Sequence, residues 1–169
     1  MAFAEIVVIV SDRLYGLAFR VVRDAHVAQD AVQQALLDAW RDLPSLRDAE
    51  RFEGWITRLV LNSCYEEVGR QRRFAAGMRW LHVDEPGRPD GALAFAERDA
   101  LERGLRSLSL EHRAVLALHF YLDLPLIAIA ERLDIPVGTA RSRLHYAIRS
   151  LRASLEADER EPGSRRGTA

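Results

Sequence analysis

Apolar residues recur at intervals of three and four along most of the chain, and this period constrains the fold more than any other feature of the sequence. A β-strand shows a period of two and an α-helix a period of 3.6, so each apolar stripe predicts an amphipathic helix. Stripes in residues 3–23, 25–41 and 51–73 carry Val10, Leu14, Leu17, Val32, Ala35, Ile56, Val60 and Cys64. The sequence therefore predicts an all-α protein whose first three helices form one small domain.

A change of composition divides the chain in two. Residues 74–97 contain Gly77, Pro86, Gly87, Pro89 and Gly91 and show little helical period. We expect a flexible linker there, which separates an N-terminal helical domain at residues 1–73 from a C-terminal one at residues 98–157. Residues 158–169 are predicted to form a polar tail.

The sequence argues against a metal-binding protein, an enzyme and a membrane protein. The single cysteine, Cys64, is predicted to be a small core residue, and no Cys/His group has the spacing of a zinc site. No nucleophile, base and orienting acid fall on one predicted face, so we expect no catalytic residues, no metal and no cofactor, and hence no enzyme. The apolar run at residues 6–10 is shorter than a bilayer span, which predicts a cytoplasmic protein without membrane insertion.

The C-terminal domain has the pattern of a helix-turn-helix. Breaks at residues 107–109, 123–125 and 134–138 leave a short helix, a tight turn and a basic final helix. The net charge of the whole chain is −1, yet residues 136–155 hold four arginines and no acid. This local excess of positive charge predicts an anion-binding surface.

The final helix has one apolar and one polar side. Its predicted buried stripe runs through Val137, Ala140, Leu144, Ala147, Ile148, Leu151 and Leu155. The candidates for DNA contact are Thr139, Arg141, Ser142, Arg143, His145, Tyr146 and Arg149. Such a helix could lie in a major groove, but a solvated surface helix has the same spacing, so spacing alone leaves both interpretations open.

The third helix carries donors and an aromatic ring on its polar side. Arg58, Asn62, Tyr65, Arg72 and Arg73 could hold a single nucleic-acid strand, because guanidinium groups reach phosphates and a ring stacks on an unpaired base. On the residues alone, an ordinary polar face with a basic last turn is the simpler interpretation.

At this point the chain resembles the extracytoplasmic-function (ECF) sigma factors, a group of the sigma-70 family of bacterial RNA polymerase. The resemblance covers most of the chain. It rests first on Ala28, Asp30, Val32, Gln33, Leu37, Ala39, Trp40, Trp55, Ile56, Asn62, Arg70, Arg72 and Arg73, which look like sigma region 2. The second and more specific part comprises Ile135, Pro136, Gly138, Thr139, Arg141, Ser142, Arg143, Leu144, His145, Ala147, Arg149, Leu151 and Leu155, which look like the recognition helix of region 4.

The resemblance implies a fold and a function. Region 2 would be a helical bundle that melts and reads the minus-ten promoter element, and region 4 a helix-turn-helix that reads the minus-thirty-five element. The implied partners are the polymerase core (the clamp coiled coil of its largest subunit and its flap), promoter DNA and an anti-sigma factor. The residues expected to bind the core are Asp30, Gln33, Gln34, Leu37 and Trp40.

Some positions depart from the family pattern. Glu66, Glu67 and Gly69 make the third helix less basic than expected, which predicts weaker or altered minus-ten recognition. Residues 125–130 read Pro-Leu-Ile-Ala-Ile-Ala, which we interpret as core, with a partner surface as the alternative.

A second function from a different class also fits a helix-turn-helix. A dimeric transcriptional regulator would bind its operator without meeting the polymerase. The polar and aromatic side chains of the second helix argue against it, because such a regulator has no need to expose them.

Overall fold

The computed structural model describes residues 3–77 and 94–160, and it places side chains for residues 3–76 and 99–157. Within these ranges the protein is all-α, as predicted, without a strand. The helices are α1 (Phe3–Val22), α2 (Ala25–Asp42), α3 (Phe52–Gly77), α4 (Ala94–Ser107), α5 (Leu110–Leu116), α6 (Leu126–Leu133) and α7 (Val137–Arg160).

The hairpin between α1 and α2 is closed by local hydrogen bonds. Arg23 takes a left-handed backbone conformation with φ of 59°, and its amide donates to the Phe19 carbonyl at 2.8 Å. Asp24 then caps α2, because its Oδ1 accepts from the Val27 amide at 2.9 Å. These two residues turn the chain through a very short connection, so α2 packs back along α1.

The N-terminal core forms where α3 packs across the α1–α2 hairpin. The predicted stripes are buried, as Leu14 and Leu17 of α1, Ala35 of α2 and Val60 of α3 are at most 1% exposed. Short 3-10 turns at Leu43–Ser45 and Ala49–Arg51 carry the chain from α2 to α3.

The helices extend further than their apolar stripes. α3 continues to Gly77 and α4 begins at Ala94, so both enter the segment predicted as a linker. α7 reaches Arg160, inside the predicted polar tail. The middle of the linker, residues 78–93, and the tail from residue 161 lie outside the described residues.

The C-terminal domain is organised around its final helix, against which α4, α5 and α6 all pack. Ser109 caps α5, since its hydroxyl accepts from the His112 amide at 3.3 Å. A π-helical turn, Ala117–Tyr121, continues α5, with the Leu122 amide donating to the Ala117 carbonyl at 3.2 Å.

The two groups of helices pack against each other. α1 and α3 contact α5, the π turn and α6, and the buried apolar residues form one continuous cluster. Tyr121 of the π turn lies against Gly16 of α1, and the Tyr121 hydroxyl donates to the Arg13 carbonyl at 3.4 Å. A cavity of about 790 Å³ remains between α1 and helices α4, α5 and α7.

Candidate nucleic-acid and polymerase interfaces

The turn between α6 and α7 places the final helix at the surface. Asp134 ends α6 in a left-handed conformation with φ of 52°, and the Ile135 amide donates to the Ala130 carbonyl at 3.0 Å. The Pro136 carbonyl then accepts from the Thr139 and Ala140 amides at 2.9 and 3.1 Å, which starts α7. The predicted helix-turn-helix is therefore formed.

The outward side of α7 carries most of the residues predicted to contact DNA. Arg141, Ser142, His145, Tyr146 and Arg149 are exposed, whereas Thr139 and Arg143 are half-buried. On the opposite side Ala140, Leu144 and Ala147 are buried, as expected. Val137 is an exception to the predicted stripe, since it remains 36% exposed. It is the first residue of α7.

Tyr146 is oriented by a neighbour from another helix. Its ring stacks on the His112 ring of α5, with the centroids 4.6 Å apart. Burial lowers the pKa of His112, and the nearby Arg143 lowers it further, so the imidazole is neutral at pH 7. Tyr146 is still 57% exposed, and its ring is thus held in place while remaining accessible.

The polar side of α3 is partly covered. Asn62, Arg72 and Arg73 are exposed, but Tyr65 is half-buried and packs against the core. Arg58 keeps an exposed side chain, yet its Nη2 donates to the Glu131 carbonyl of α6 at 2.6 Å. The structure therefore brings the predicted strand-binding residues together on one face and places the C-terminal domain beside them.

Two of the departures in α3 have a structural explanation. Glu67 is buried rather than directed to the solvent, and it pairs with Arg70 one turn further along α3. Gly69 is not required by packing, because an added Cβ would meet only the Arg73 guanidinium, at 3.6 Å. Glu67 is therefore not itself exposed, but its carboxylate neutralises the exposed Arg70, and Glu66 is exposed, so both glutamates make this part of α3 less basic.

The outer side of α2 exposes large apolar side chains. Leu37 and Trp40 are 44% and 63% exposed, and Asp30 and Gln33 are exposed beside them. Gln34 is half-buried, since its amide donates to Asp38 at 3.0 Å within the same helix. Exposed large apolar side chains interleaved with polar ones are typical of a protein-binding surface.

Comparison with known proteins identifies the family. The family model described as Sigma-70 region 2 matches residues 7–74. The model described as Sigma-70, region 4 matches residues 104–153. The ECF RNA polymerase sigma factor SigL of Mycobacterium tuberculosis is 34% identical over 146 residues, which cover 85% of this chain and 82% of that protein. The chain belongs to the ECF sigma factors of the sigma-70 family. As a member, it is an RNA polymerase sigma factor, which acts in promoter-specific transcription initiation.

Other similar proteins agree with this assignment. The ECF sigma factor SigW of Bacillus subtilis strain 168 is 28% identical over 166 residues, covering 91% of this chain and 89% of that protein. The sigma factor RpoE of Bartonella quintana, solved with the anti-sigma factor NepR, has the same fold, with a TM-score of 0.74 at 21% identity. That likeness covers 92% of this sigma factor and 98% of the RpoE chain.

Several residues outside the proposed interfaces lie wholly or partly in the core. Cys64 is fully buried, and burial, reinforced by the charge of Glu67, raises the pKa of its thiol to about 12. The core prediction for residues 125–130 is only partly right, because Ile129 is buried but Ile127 is 64% exposed. His119 is half-buried, with its Nδ1 at 3.1 Å from the Leu124 carbonyl.

Residues 3–76 and 99–157 hold no group of three His, Cys, Asp or Glu side chains arranged to bind a metal ion. In the described part of the sigma factor, no helix has the length and hydropathy needed to cross a bilayer.

The contacts between the two halves were not predicted from the sequence. The Arg20 guanidinium lies 3.9 Å from the centroid of the Tyr121 ring, in a cation–π arrangement, and Arg23 forms an ion pair with Glu102 of α4. These residues are far apart in sequence and belong to no recognisable motif. The sequence offered only a weak sign of these contacts, namely Gly16 in the middle of α1 and Tyr121 directly before a helix break.

Proposed function

We propose that α7 reads the minus-thirty-five element as duplex DNA in the major groove. Its exposed Ser142, His145, Tyr146 and Arg149 would face base edges, and Arg141 would contact a phosphate. The single observation that supports this most is the separation of the two sides of α7, one buried against α5 and α6 and the other exposed and basic. Thr139 and Arg143, at the edge of this surface, would contact the DNA backbone.

The polar side of α3 is proposed to hold the melted minus-ten strand. Arg58, Arg72 and Arg73 would bind phosphates, Tyr65 would stack on a base and Asn62 would donate or accept at a base edge. Extruding a base costs a few kcal/mol, about the scale of one such stacking contact, so captured bases can offset melting. The loop at residues 43–52, largely exposed beside the start of α3, would form the pocket for a displaced base.

The outer side of α2 is proposed to dock on the clamp coiled coil of the largest polymerase subunit. Asp30 and Gln33 supply polar contacts, while Leu37 and Trp40 supply exposed apolar area that a partner can bury. Gln34 would take part after releasing its hydrogen bond to Asp38. An apolar groove of about 390 Å³ between α1 and α2, lined in part by Gln33 and Leu37, adjoins this surface.

The sigma factor is proposed to supply no chemistry of its own, leaving phosphodiester synthesis to the core enzyme. We also propose an anti-sigma factor as a regulatory partner, in line with the RpoE–NepR structure. The need to meet polymerase supports a cytoplasmic location. The predicted domain boundaries, residues 1–73 and 98–157, enclose both family matches except for residue 74.

A transcription assay tests these assignments together. The purified sigma factor is mixed with sigma-free bacterial core polymerase and a pool of promoter fragments from its own genome, and run-off transcripts are sequenced. Specific initiation at a few fragments is expected. DNA binding by the protein alone, without polymerase association or transcripts, would contradict the proposal and favour a dimeric regulator.

Variants of α2 test the docking surface separately. Combining Asp30→Ala with Trp40→Ala should abolish association with core polymerase and leave the circular dichroism spectrum and melting temperature unchanged, because both side chains are exposed. His26→Ala, also exposed but at the other end of α2, is the matched control and should bind normally. Normal binding by the double variant would place the docking surface elsewhere.

A further inference from the structure

The ring of Tyr146 rests on a side chain from outside the recognition helix. Its centroid lies 4.6 Å from that of His112 on α5, and the two ring planes are inclined by 30°, which is a stacked arrangement. α5 packs against α7, so the stack lies where the two helices meet. His112 therefore covers one face of the Tyr146 ring, while 57% of the Tyr146 residue stays exposed.

His112 is itself held by the start of α5. Its Nδ1 lies 2.7 Å from the Ser109 hydroxyl oxygen, and the same oxygen accepts from the His112 amide at 3.3 Å. The charged groups that act on the imidazole are Arg143 of α7 and Glu111 of α5. Burial and Arg143 lower the pKa of His112 and Glu111 raises it less, so the ring is neutral at pH 7 and brings no like charge towards Arg143.

A stack of this kind selects one rotamer of Tyr146. Aromatic side chains in a helix occupy two χ1 wells, near 180° and −60°. Because these wells differ by about 120°, the ring can meet His112 in only one of them. A stacked pair favours its own well by about two- to tenfold. The stack therefore fixes where the exposed edge of the ring lies before any DNA is bound.

The exposed part of Tyr146 has the chemistry of a contact with thymine. Among the base edges of the major groove, thymine alone presents a methyl group, and apolar side-chain surface packs against it. Ser142 and Arg149 lie about one turn away on either side of Tyr146, and both are polar and exposed. The ring is the apolar surface between them.

We propose that His112 of α5 is a positioning residue for base recognition. It holds the Tyr146 ring against a thymine methyl group, so selectivity at one base pair of the minus-thirty-five element depends on a residue outside α7. The inference rests on the proposed function, in which the exposed face of α7 reads duplex DNA. His112 needs no contact with DNA itself. Without its ring, Tyr146 would divide between two wells and read thymine in only about half of the molecules.

The first step of the test locates the base that Tyr146 reads. The full-length protein is incubated with a library of duplexes randomised at their centre, and the bound fraction is sequenced. The wild type is expected to prefer thymine at a position where Tyr146→Ala loses that preference. Preferences at the other positions should remain, because Tyr146 is exposed and its loss leaves the rest of the α7 face in place.

The second step measures the contribution of the methyl group. Two otherwise identical duplexes carry thymine or deoxyuridine at that position, and uracil lacks only the methyl group. Burying a methyl group is worth about fourfold in affinity, so the wild type should bind the thymine duplex about fourfold more tightly. Both duplexes are titrated with the same protein preparation by fluorescence anisotropy, so an inactive fraction cancels from the ratio of the two affinities.

Two substitutions of His112 separate stacking from the filling of space. Leucine fills the half-buried position without a ring, whereas phenylalanine restores a ring that can stack. If the two wells become equally populated, His112→Leu should lower the affinity ratio from about fourfold to about 2.5-fold, and His112→Phe should retain about fourfold. His119→Leu is the matched control and should keep the wild-type ratio, since His119 is also half-buried but its ring lies 4.8 Å from that of Phe120.

Combining the variants shows whether the two rings act as one unit. In the Tyr146→Ala background the affinity ratio should be near one, and adding His112→Leu should change it no further. A wild-type ratio in His112→Leu would overturn the proposal, as would equal losses in His112→Leu and His112→Phe. Loss of a preference for a base other than thymine in Tyr146→Ala would also contradict it.

Failure of the proposed function has a different signature. If Tyr146→Ala left every preference in the library unchanged, Tyr146 would not read a base, and the role of His112 would fall with that assignment. If Tyr146→Ala removed the thymine preference but His112→Leu kept the wild-type ratio, base reading by α7 would stand and only the positioning role of His112 would be refuted.

Discussion

Arg141 offers the sharpest test of how α7 meets DNA. The side chain is exposed on the basic face and forms no ion pair or side-chain hydrogen bond among the described residues, so Arg141→Gln should leave the fold intact. Glutamine also has nearly the helix propensity of arginine. Each phosphate contact contributes about −0.9 to the slope of log affinity against log salt. Losing one should reduce the slope by that amount.

The magnitude follows from counterion release. Between 50 and 200 mM salt, one phosphate contact accounts for about a 3.5-fold loss of affinity, and the variant should lack this part of the salt dependence. The measurement is fluorescence anisotropy of a labelled random-sequence 30-bp duplex titrated with the full-length protein at several salt concentrations. This face of α7 is exposed in the full-length protein.

Arg152→Gln is the matched control, because Arg152 is also exposed on α7 but lies about 16 Å further along the helix axis. Its slope should equal that of the wild type. An unchanged slope for Arg141→Gln, or equal changes for both variants, would refute the assignment of Arg141 to a phosphate.

Three further outcomes are expected. Gly69→Ala should stabilise the protein by up to about 1 kcal/mol in urea unfolding, because a Cβ fits there and alanine favours the helix; destabilisation would contradict the packing seen around α3. In a pH titration followed by tyrosinate absorbance, Tyr65→Phe should remove a step near pH 12, because burial raises the pKa of Tyr65 to about 12. Loss of a step near pH 10 instead would contradict this. The raised pKa of Tyr65 also means that its contribution to stability is lost as pH rises from about 10 to 12, since the unfolded chain releases the proton first. At pH 8 Cys64 should react with a thiol reagent only on unfolding, because burial raises its pKa to about 12; fast labelling of the native protein would argue against a buried thiol.

The helices and the exposed face of α7 could be predicted from the spacing of apolar residues along the chain. Leu14, Leu17 and Val60 lie at helical spacing, and each is buried where its period predicts. Ser109 directly precedes α5, and a serine at that position is a preferred helix cap. The helix ends were less predictable, because α3 and α7 continue past the last residue of their predicted apolar stripes.

The surroundings of the candidate sites required the tertiary structure. Glu67 is a charged position by sequence, yet its side chain is buried and pairs with Arg70, which the spacing of the apolar residues does not reveal. Val137 belongs to the stripe by spacing but is 36% exposed at the start of α7.

The sequence by itself determined an all-α fold with a basic final helix, because helical period and local charge are properties of neighbouring residues, and its motifs resemble those of the sigma factors. Only the tertiary structure decided that Arg58 and Tyr65 lie against the C-terminal domain, and that Glu102 meets Arg23 from the far side of the linker. Contacts between domains depend on the shapes of two folded surfaces, so they cannot be predicted from the spacing of residues within either segment.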